Sequence, residues 1–175
     1  MPFVKSGRIV EDQYLRIADE APVPDTGAVL VSGARFLADP DVFRARQGAT
    51  GVVWPNNRPV AELAPYLDRI ASVALVFPGF RDGRGYSQAR ILRERYDYKG
   101  ELRATGQVLR DQFLLLLRAG FDSFDVTKDA DAIAFADSVR RFDVFYQPTG
   151  DGRSTALRRR LGRAPSAHAV DAHAL

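Results

Sequence analysis

A chain of 175 residues with 46% apolar side chains has enough material for one compact domain with its own core. It contains no cysteine, and its only histidines are His168 and His173. That excludes disulfides, thiol catalysis and cysteine-ligated zinc or iron–sulfur clusters, and it leaves the body of the chain without an imidazole for a triad or a metal. The formal charge of +3 belongs to residues 151–175, where five arginines face two aspartates, so residues 1–150 are neutral and nucleic acid is not an expected partner.

No apolar run reaches the 18 residues of a membrane-spanning helix, and Met1–Gly7 lacks the apolar stretch of a signal peptide. A cytoplasmic location, away from membranes, is the expectation.

In chain order, residues 7–17 read as two short strands turning around Glu11-Asp12, an N-terminal hairpin. Ala21-Pro22-Val23-Pro24-Asp25 then breaks structure, and residues 1–25 form a lead-in to a single domain over 26–150. Within it, Ala28–Val31 is a short strand ended by Ser32-Gly33, and Asp39-Pro40-Asp41 opens a helix carrying Val42 and Phe43. Gly51–Trp54 is the next strand, and Pro59–Leu67 a helix with Val60, Leu63 and Leu67 on one face. Ala71–Phe77 is apolar at nearly every position, as a strand covered on both faces should be. Ser87–Tyr96 reads as a helix, Gly100–Thr105 as a strand, and Gln107–Leu117 as an apolar helix stopped at Gly120. A strand at Ser123–Val126, a helix at Asp129–Phe142 and a strand at Val144–Tyr146 complete the series. Residues 151–175 read as a basic, flexible tail with a turn or two of helix at Ala156–Leu161.

The fold class is therefore α/β: alternating βα units on a mostly parallel sheet of about six strands. A complete eight-fold barrel needs roughly 250 residues, which leaves an incomplete barrel or an open doubly wound sheet. Both keep their sites at the C-terminal ends of the strands.

One such end stands out. The covered strand ending at Phe77 runs into Pro78-Gly79-Phe80-Arg81-Asp82-Gly83-Arg84-Gly85-Tyr86-Ser87, a glycine-rich loop with two arginines ahead of a helix. Gly79, Gly83 and Gly85 permit positive φ and close approach of a ligand, Ser87 can cap or donate at the helix start, and Arg81 and Arg84 can grip an oxyanion. The next strand ends in Arg103-Ala104-Thr105-Gly106, and Arg110 follows in its loop. Arg81, Gly83, Arg84, Gly85, Ser87, Arg103, Gly106 and Arg110 are thus candidates for binding an anion or a partner. Asp82, Asp111 and Tyr86 are the candidates for proton transfer. The bland alternative is loop architecture, with Arg81–Asp82 an ion pair and the glycines serving a turn. Trp54 reads either as core or as the floor of a pocket. No metal site and no cofactor is expected, since the loop is neither a phosphate-binding P-loop nor a dinucleotide fingerprint.

The words around this loop also resemble a known family. Phe77–Arg93 (FPGFRDGRGYSQARILR), Gly100–Phe113 (GELRATGQVLRDQF) and Arg118–Val126 (RAGFDSFDV) are similar to the signature of the proteobacterial family called domain of unknown function 934, over roughly residues 28–148. Members are labelled probable oxidoreductases of sulfite reduction because their genes sit beside assimilatory sulfite reductase genes. The resemblance implies an accessory role in assimilatory sulfur metabolism, with a small oxyanion or a reductase as partner. A chain without cysteine or core histidine has no ligands of its own for a cluster or a siroheme. The alternatives are an enzyme acting on a phosphorylated or carboxylated small molecule, with arginine clamp and Asp/Tyr acid–base groups, and a structural scaffold.

Overall fold

The computed structural model describes residues 2–126, 128–141, 144–149 and 153–162. Its strands are β1 (Phe3–Lys5), β2 (Arg8–Val10), β3 (Tyr14–Arg16), β4 (Ala28–Ser32), β5 (Thr50–Trp54), β6 (Ile70–Phe77), β7 (Glu101–Gly106) and β8 (Ser123–Asp125). The α-helices are α1 (Gly33–Ala38), α2 (Pro40–Ala45), α3 (Arg84–Arg90), α4 (Phe113–Arg118), α5 (Asp129–Arg141) and α6 (Ala156–Arg160).

All eight strands belong to one sheet in the order β2-β1-β8-β7-β6-β5-β4-β3. From β3 to β8 the neighbours are parallel and follow chain order, so there is no switch point of the doubly wound kind, and the sheet is an incomplete barrel. Chain connectivity makes it curl. β2 and β3 are the two edges of the sheet, yet only Glu11, Asp12 and Gln13 separate them. Four residue steps span at most about 14 Å, whereas eight strands laid flat at about 4.8 Å spacing would put the edges roughly 34 Å apart. The sheet closes until its edges are within reach of this short strap.

The N-terminal hairpin is present, but its turn lies at Ser6-Gly7, both with positive φ (52° and 69°), and it joins β1 to β2. Two left-handed residues form the turn whose twist suits a two-residue hairpin. The pairing expected across Glu11-Asp12 does not occur, because Tyr14–Arg16 finds a parallel partner in β4 instead.

The other differences also have local causes. Ser32 ends β4 by capping a helix that begins one residue later, its hydroxyl accepting from the Arg35 N–H at 3.1 Å. Residues 60–66 form a 3₁₀ turn, with Pro65 lacking an amide donor. The helix expected at 87–96 begins at Arg84 and continues as a π turn over Ile91–Arg95. The expected strand at 144–146 is a single bridge from Phe145 to Thr155. Within the expected tail, Thr155 is buried and caps α6, while residues 163–175 lie outside the described residues.

Apolar side chains of the convex face, among them Val52, Val73, Leu75 and Phe77, meet the helices in one core. Phe113 of α4, Phe124 of β8 and Phe135 of α5 stack with ring centroids 4.9–5.4 Å apart. Trp54 is wholly buried, its Nε1 donating to the Arg58 carbonyl at 3.1 Å, so it is core and not the floor of a pocket. The concave face carries the small and polar residues Gly51, Ser72, Ala74, Arg103, Ser123 and Asp125, with Leu30 and Phe3 packed beside them. A Cβ on Gly51 would stand 2.8 Å from Leu30 Cδ1 and 3.2 Å from Ser72 Cβ and Tyr14 Cε1, so the interior is packed at this level.

Candidate functional site

The parallel register sets Phe77 beside Gly106, so the loops leaving β6 and β7 start side by side. The Gln107 N–H donates to the Phe77 carbonyl at 2.8 Å. Gly106 takes φ +94°, and a Cβ there would lie 2.4 Å from that same carbonyl oxygen, so glycine is required for the two strand ends to meet. Gln112 locks the loops further: its Nε2 donates to the Phe80 carbonyl (3.2 Å), and its Oε1 accepts from the Leu109 N–H (3.2 Å). The loop after β5 joins them through Gln88 of α3, whose Nε2 donates to the Pro55 and Arg58 carbonyls at 3.2 and 2.8 Å.

On this rim the predicted residues take distinct parts. Arg84 closes on Asp82 through Nε (2.9 Å) and Nη2 (2.6 Å), and the Arg84 N–H also donates to that carboxylate. The ion pair of the loop is therefore Arg84–Asp82, not Arg81–Asp82. Arg84, with a lesser contribution from the Asn56 amide, holds the Asp82 carboxyl well below the ordinary carboxylate range, and Asp82 in turn raises the Arg84 guanidinium. A carboxyl so committed to its charge makes a poor general acid or base near neutrality. Arg81 lies over the Phe80 ring with its guanidinium carbon 5.5 Å from the centroid. Arg81 and Arg110 are exposed, and neither has a carboxylate within salt-bridge distance among the described residues.

The loop glycines do other work than expected. None of Gly79, Gly83 and Gly85 has positive φ, and Gly83 sits at the helix start with φ −81°. Gly85 is required by packing: a Cβ would stand 2.7 Å from Phe77 Cζ. Ser87 is exposed inside α3 and is not its cap. Tyr86 sets its ring edge against Phe77 (centroids 5.4 Å), and burial, with Asp111 nearby, pushes its phenol above the usual value. At neutral pH it is a hydroxyl donor, not a base. Asp111 is exposed beside Arg110.

Arg103 departs furthest from expectation. Alternation along β7 turns it to the concave face, where it is 1% exposed with no charge left for a ligand. Its Nε donates to Asp125 Oδ1 at 3.0 Å and its Nη1 to Asp12 Oδ1 at 2.9 Å, while Nη2 pairs with both carboxylates. Asp125 receives Arg16 Nη2 from the opposite edge at 2.5 Å, and the Phe3 ring lies 4.2 Å under the Arg103 guanidinium. Burial opposes ionisation of Asp12, but hydrogen bonds from Arg103 and the Tyr14 N–H, with the charges of Arg103 and Arg16, outweigh it and lower its pKa. Burial likewise works against the Arg103 charge, and Asp12 and Asp125 overcome it and raise its pKa. Two cations and two carboxylates thus fasten β3 and the strap onto β7 and β8, where no ladder hydrogen bonds do.

What sequence reasoning missed on the rim is apolar. Phe80 is 53% and Leu109 43% exposed, on the two loops that Gln112 ties together. Their neighbours Arg81 and Arg110 marked the place, but an apolar residue in a loop carries no sign of its own exposure.

Residues 51–157, well over half of the chain, match the family described as "Bacterial protein of unknown function (DUF934)". The chain belongs to this family. No curated protein and no solved structure matches it. The family segment takes in both rim loops, Arg103 and Asp125, and it leaves out Asp12 and Arg16. Its end at residue 157 falls within α6, later than the resemblance alone placed it. Among the described residues no helix is long and apolar enough to cross a membrane.

Proposed function

We propose that this protein of the DUF934 family is a cytoplasmic accessory protein of assimilatory sulfite reduction, docking an acidic surface of a reductase through the rim of β6 and β7. The observation that carries the docking is the pairing of two exposed arginines that have no carboxylate partner among the described residues, Arg81 and Arg110, with exposed Phe80 and Leu109 on loops held together by Gln112. Aromatic and arginine side chains anchor protein interfaces, and fixed loops lose little entropy on binding. The commitment of Asp82 to Arg84 favours recognition over proton transfer at the same rim. The sulfur pathway is what the family resemblance contributes.

Surface plasmon resonance against immobilised sulfite reductase tests the reading. Phe80→Ala is expected to weaken binding about 30-fold, the effect of losing an anchor of about 2 kcal/mol. Arg81→Ala/Arg110→Ala should lower the association rate and its salt dependence. Absence of binding by the unsubstituted protein, together with normal growth of a deletion strain on sulfate as sole sulfur source, would refute it.

A further inference from the structure

A second exposed apolar group lies beyond the other end of α4 from the rim. Tyr146 is 90% exposed, Leu157 64% and Leu161 59%. Leu157 and Leu161 stand four residues apart at α6 and so share one helical face. The segment is held in place. Phe145 is 8% exposed and bridges to Thr155, and the Ala156 N–H donates to the Phe145 carbonyl at 2.8 Å. The Arg118 guanidinium stacks 4.0 Å over the Phe145 ring and donates to the Gln147 carbonyl at 2.6 Å and to Thr149 Oγ1 at 3.2 Å. Large apolar side chains, two of them on one helical face, are thus presented to solvent on an anchored backbone.

The described segment that carries the two leucines is basic. Residues 153–162 hold four arginines and no carboxylate, and neither Arg158 nor Arg160 has a carboxylate within salt-bridge distance among the described residues. The place differs from the rim: Gln112, just before α4, grips the Phe80 loop, whereas Arg118 at the other end of α4 grips residues 145–149. The two apolar groups thus flank opposite ends of one helix.

We propose that Tyr146, Leu157 and Leu161, ringed by Arg158 and Arg160, form a second protein-docking face that takes an acidic segment bearing apolar side chains, so that the protein bridges two acidic protein surfaces. A five-residue helix with one exposed leucine and a second at its C-cap has too little apolar area to lie in a bilayer, and interfacial helices are several turns long. The neutral body of the chain argues against a nucleic-acid backbone, which rewards many cations. A basic rim around an apolar centre fits a negatively charged partner segment.

The probe is a fluorescein-labelled peptide of four glutamates and two leucines, titrated into the full chain by anisotropy and calorimetry at low salt. Two equivalents are expected to bind. Leu157→Ser/Leu161→Ser should weaken one of them at least tenfold, and so should Arg158→Glu/Arg160→Glu, which leaves the apolar contacts intact. Phe80→Ala/Arg81→Glu should remove the other. A single equivalent lost only in the rim variant overturns the second face and leaves the rim reading standing. A single equivalent lost only in the α6 variants does the reverse. Binding to vesicles of 30% phosphatidylglycerol that the α6 variants abolish, with peptide binding unchanged, overturns the choice of a protein segment.

Discussion

Replacing Arg103 by methionine tests whether the charges of the concave face hold the incomplete barrel shut. The methionine fills much of the space and keeps a contact with the Phe3 ring, but Asp125, 3% exposed at its side chain, and Asp12, 25% exposed, lose their shared cation. Removing one partner of a buried ion pair costs about 3–5 kcal/mol, and Arg16 remains on Asp125 to offset part of that. The expected loss is about 4 kcal/mol, a large share of the roughly 5–15 kcal/mol that holds a domain folded. With a urea dependence of about 2 kcal/mol per molar, the unfolding midpoint should fall by about 2 M. Trp54 is the only tryptophan and is wholly buried, so its fluorescence reports the transition. The sign with pH is also fixed. Asp12 has its pKa lowered in the folded state, so its contribution is complete above the ordinary carboxylate value of about 3.9 and fades as pH falls below it. The gap between the parent and Arg103→Met should be widest near neutrality and narrow in acid. A loss under about 1 kcal/mol, or a gap that widens on acidification, would mean that the network does not close the barrel.

Gly85→Ala should cost about 1–3 kcal/mol by forcing a methyl into the Phe77 ring, and adding Phe77→Leu should return part of that; additive losses in urea unfolding would place the strain elsewhere. Tyr98 donates from its buried hydroxyl to the Ile70 carbonyl at 2.9 Å, and burial raises its pKa well above the phenolic range. The stability tied to its neutral form is complete below about pH 10 and is lost above it, so Tyr98→Phe should lose about 1–2 kcal/mol at pH 8 and show a flatter decline between pH 9 and 11; equal slopes in chemical denaturation would contradict this. Rim substitutions at Phe80, Arg81 and Arg110 should leave the urea midpoint within error, because these side chains are exposed, and a large shift would make their binding defects uninterpretable as contact losses.

Much of the βα series was legible because period and punctuation are local. The apolar run of β6, the Asp39-Pro40 helix start and the stop at Gly120 all read from a few neighbouring residues, and the structure places elements there. The hairpin failed at Glu11-Asp12 because strands three residues long carry too little pattern to choose a partner. Tyr14–Arg16 had two possible neighbours, and only the curled sheet offers the parallel one. The arginines drew attention to the loops after β6 and β7, yet which of them pairs with the loop aspartate was not legible. Arg84 and Arg81 have the same chemistry and flank the same aspartate, and the backbone turn alone brings Arg84 onto it.

By itself the sequence determined the alternation of strands and helices, the absence of thiol and imidazole chemistry from the body of the chain, and the placing of an arginine-rich loop after a covered strand. Composition and short-range periodicity carry that information. Tertiary structure alone decided the fate of Arg103, whose carboxylate partners lie 91 and 22 residues away in the chain. It also decided that Phe80 and Leu109 stand exposed beside the arginines. The first follows from the curl that brings the β2–β3 strap onto β7, the second from the register that sets the loops after β6 and β7 side by side, and no local pattern encodes either.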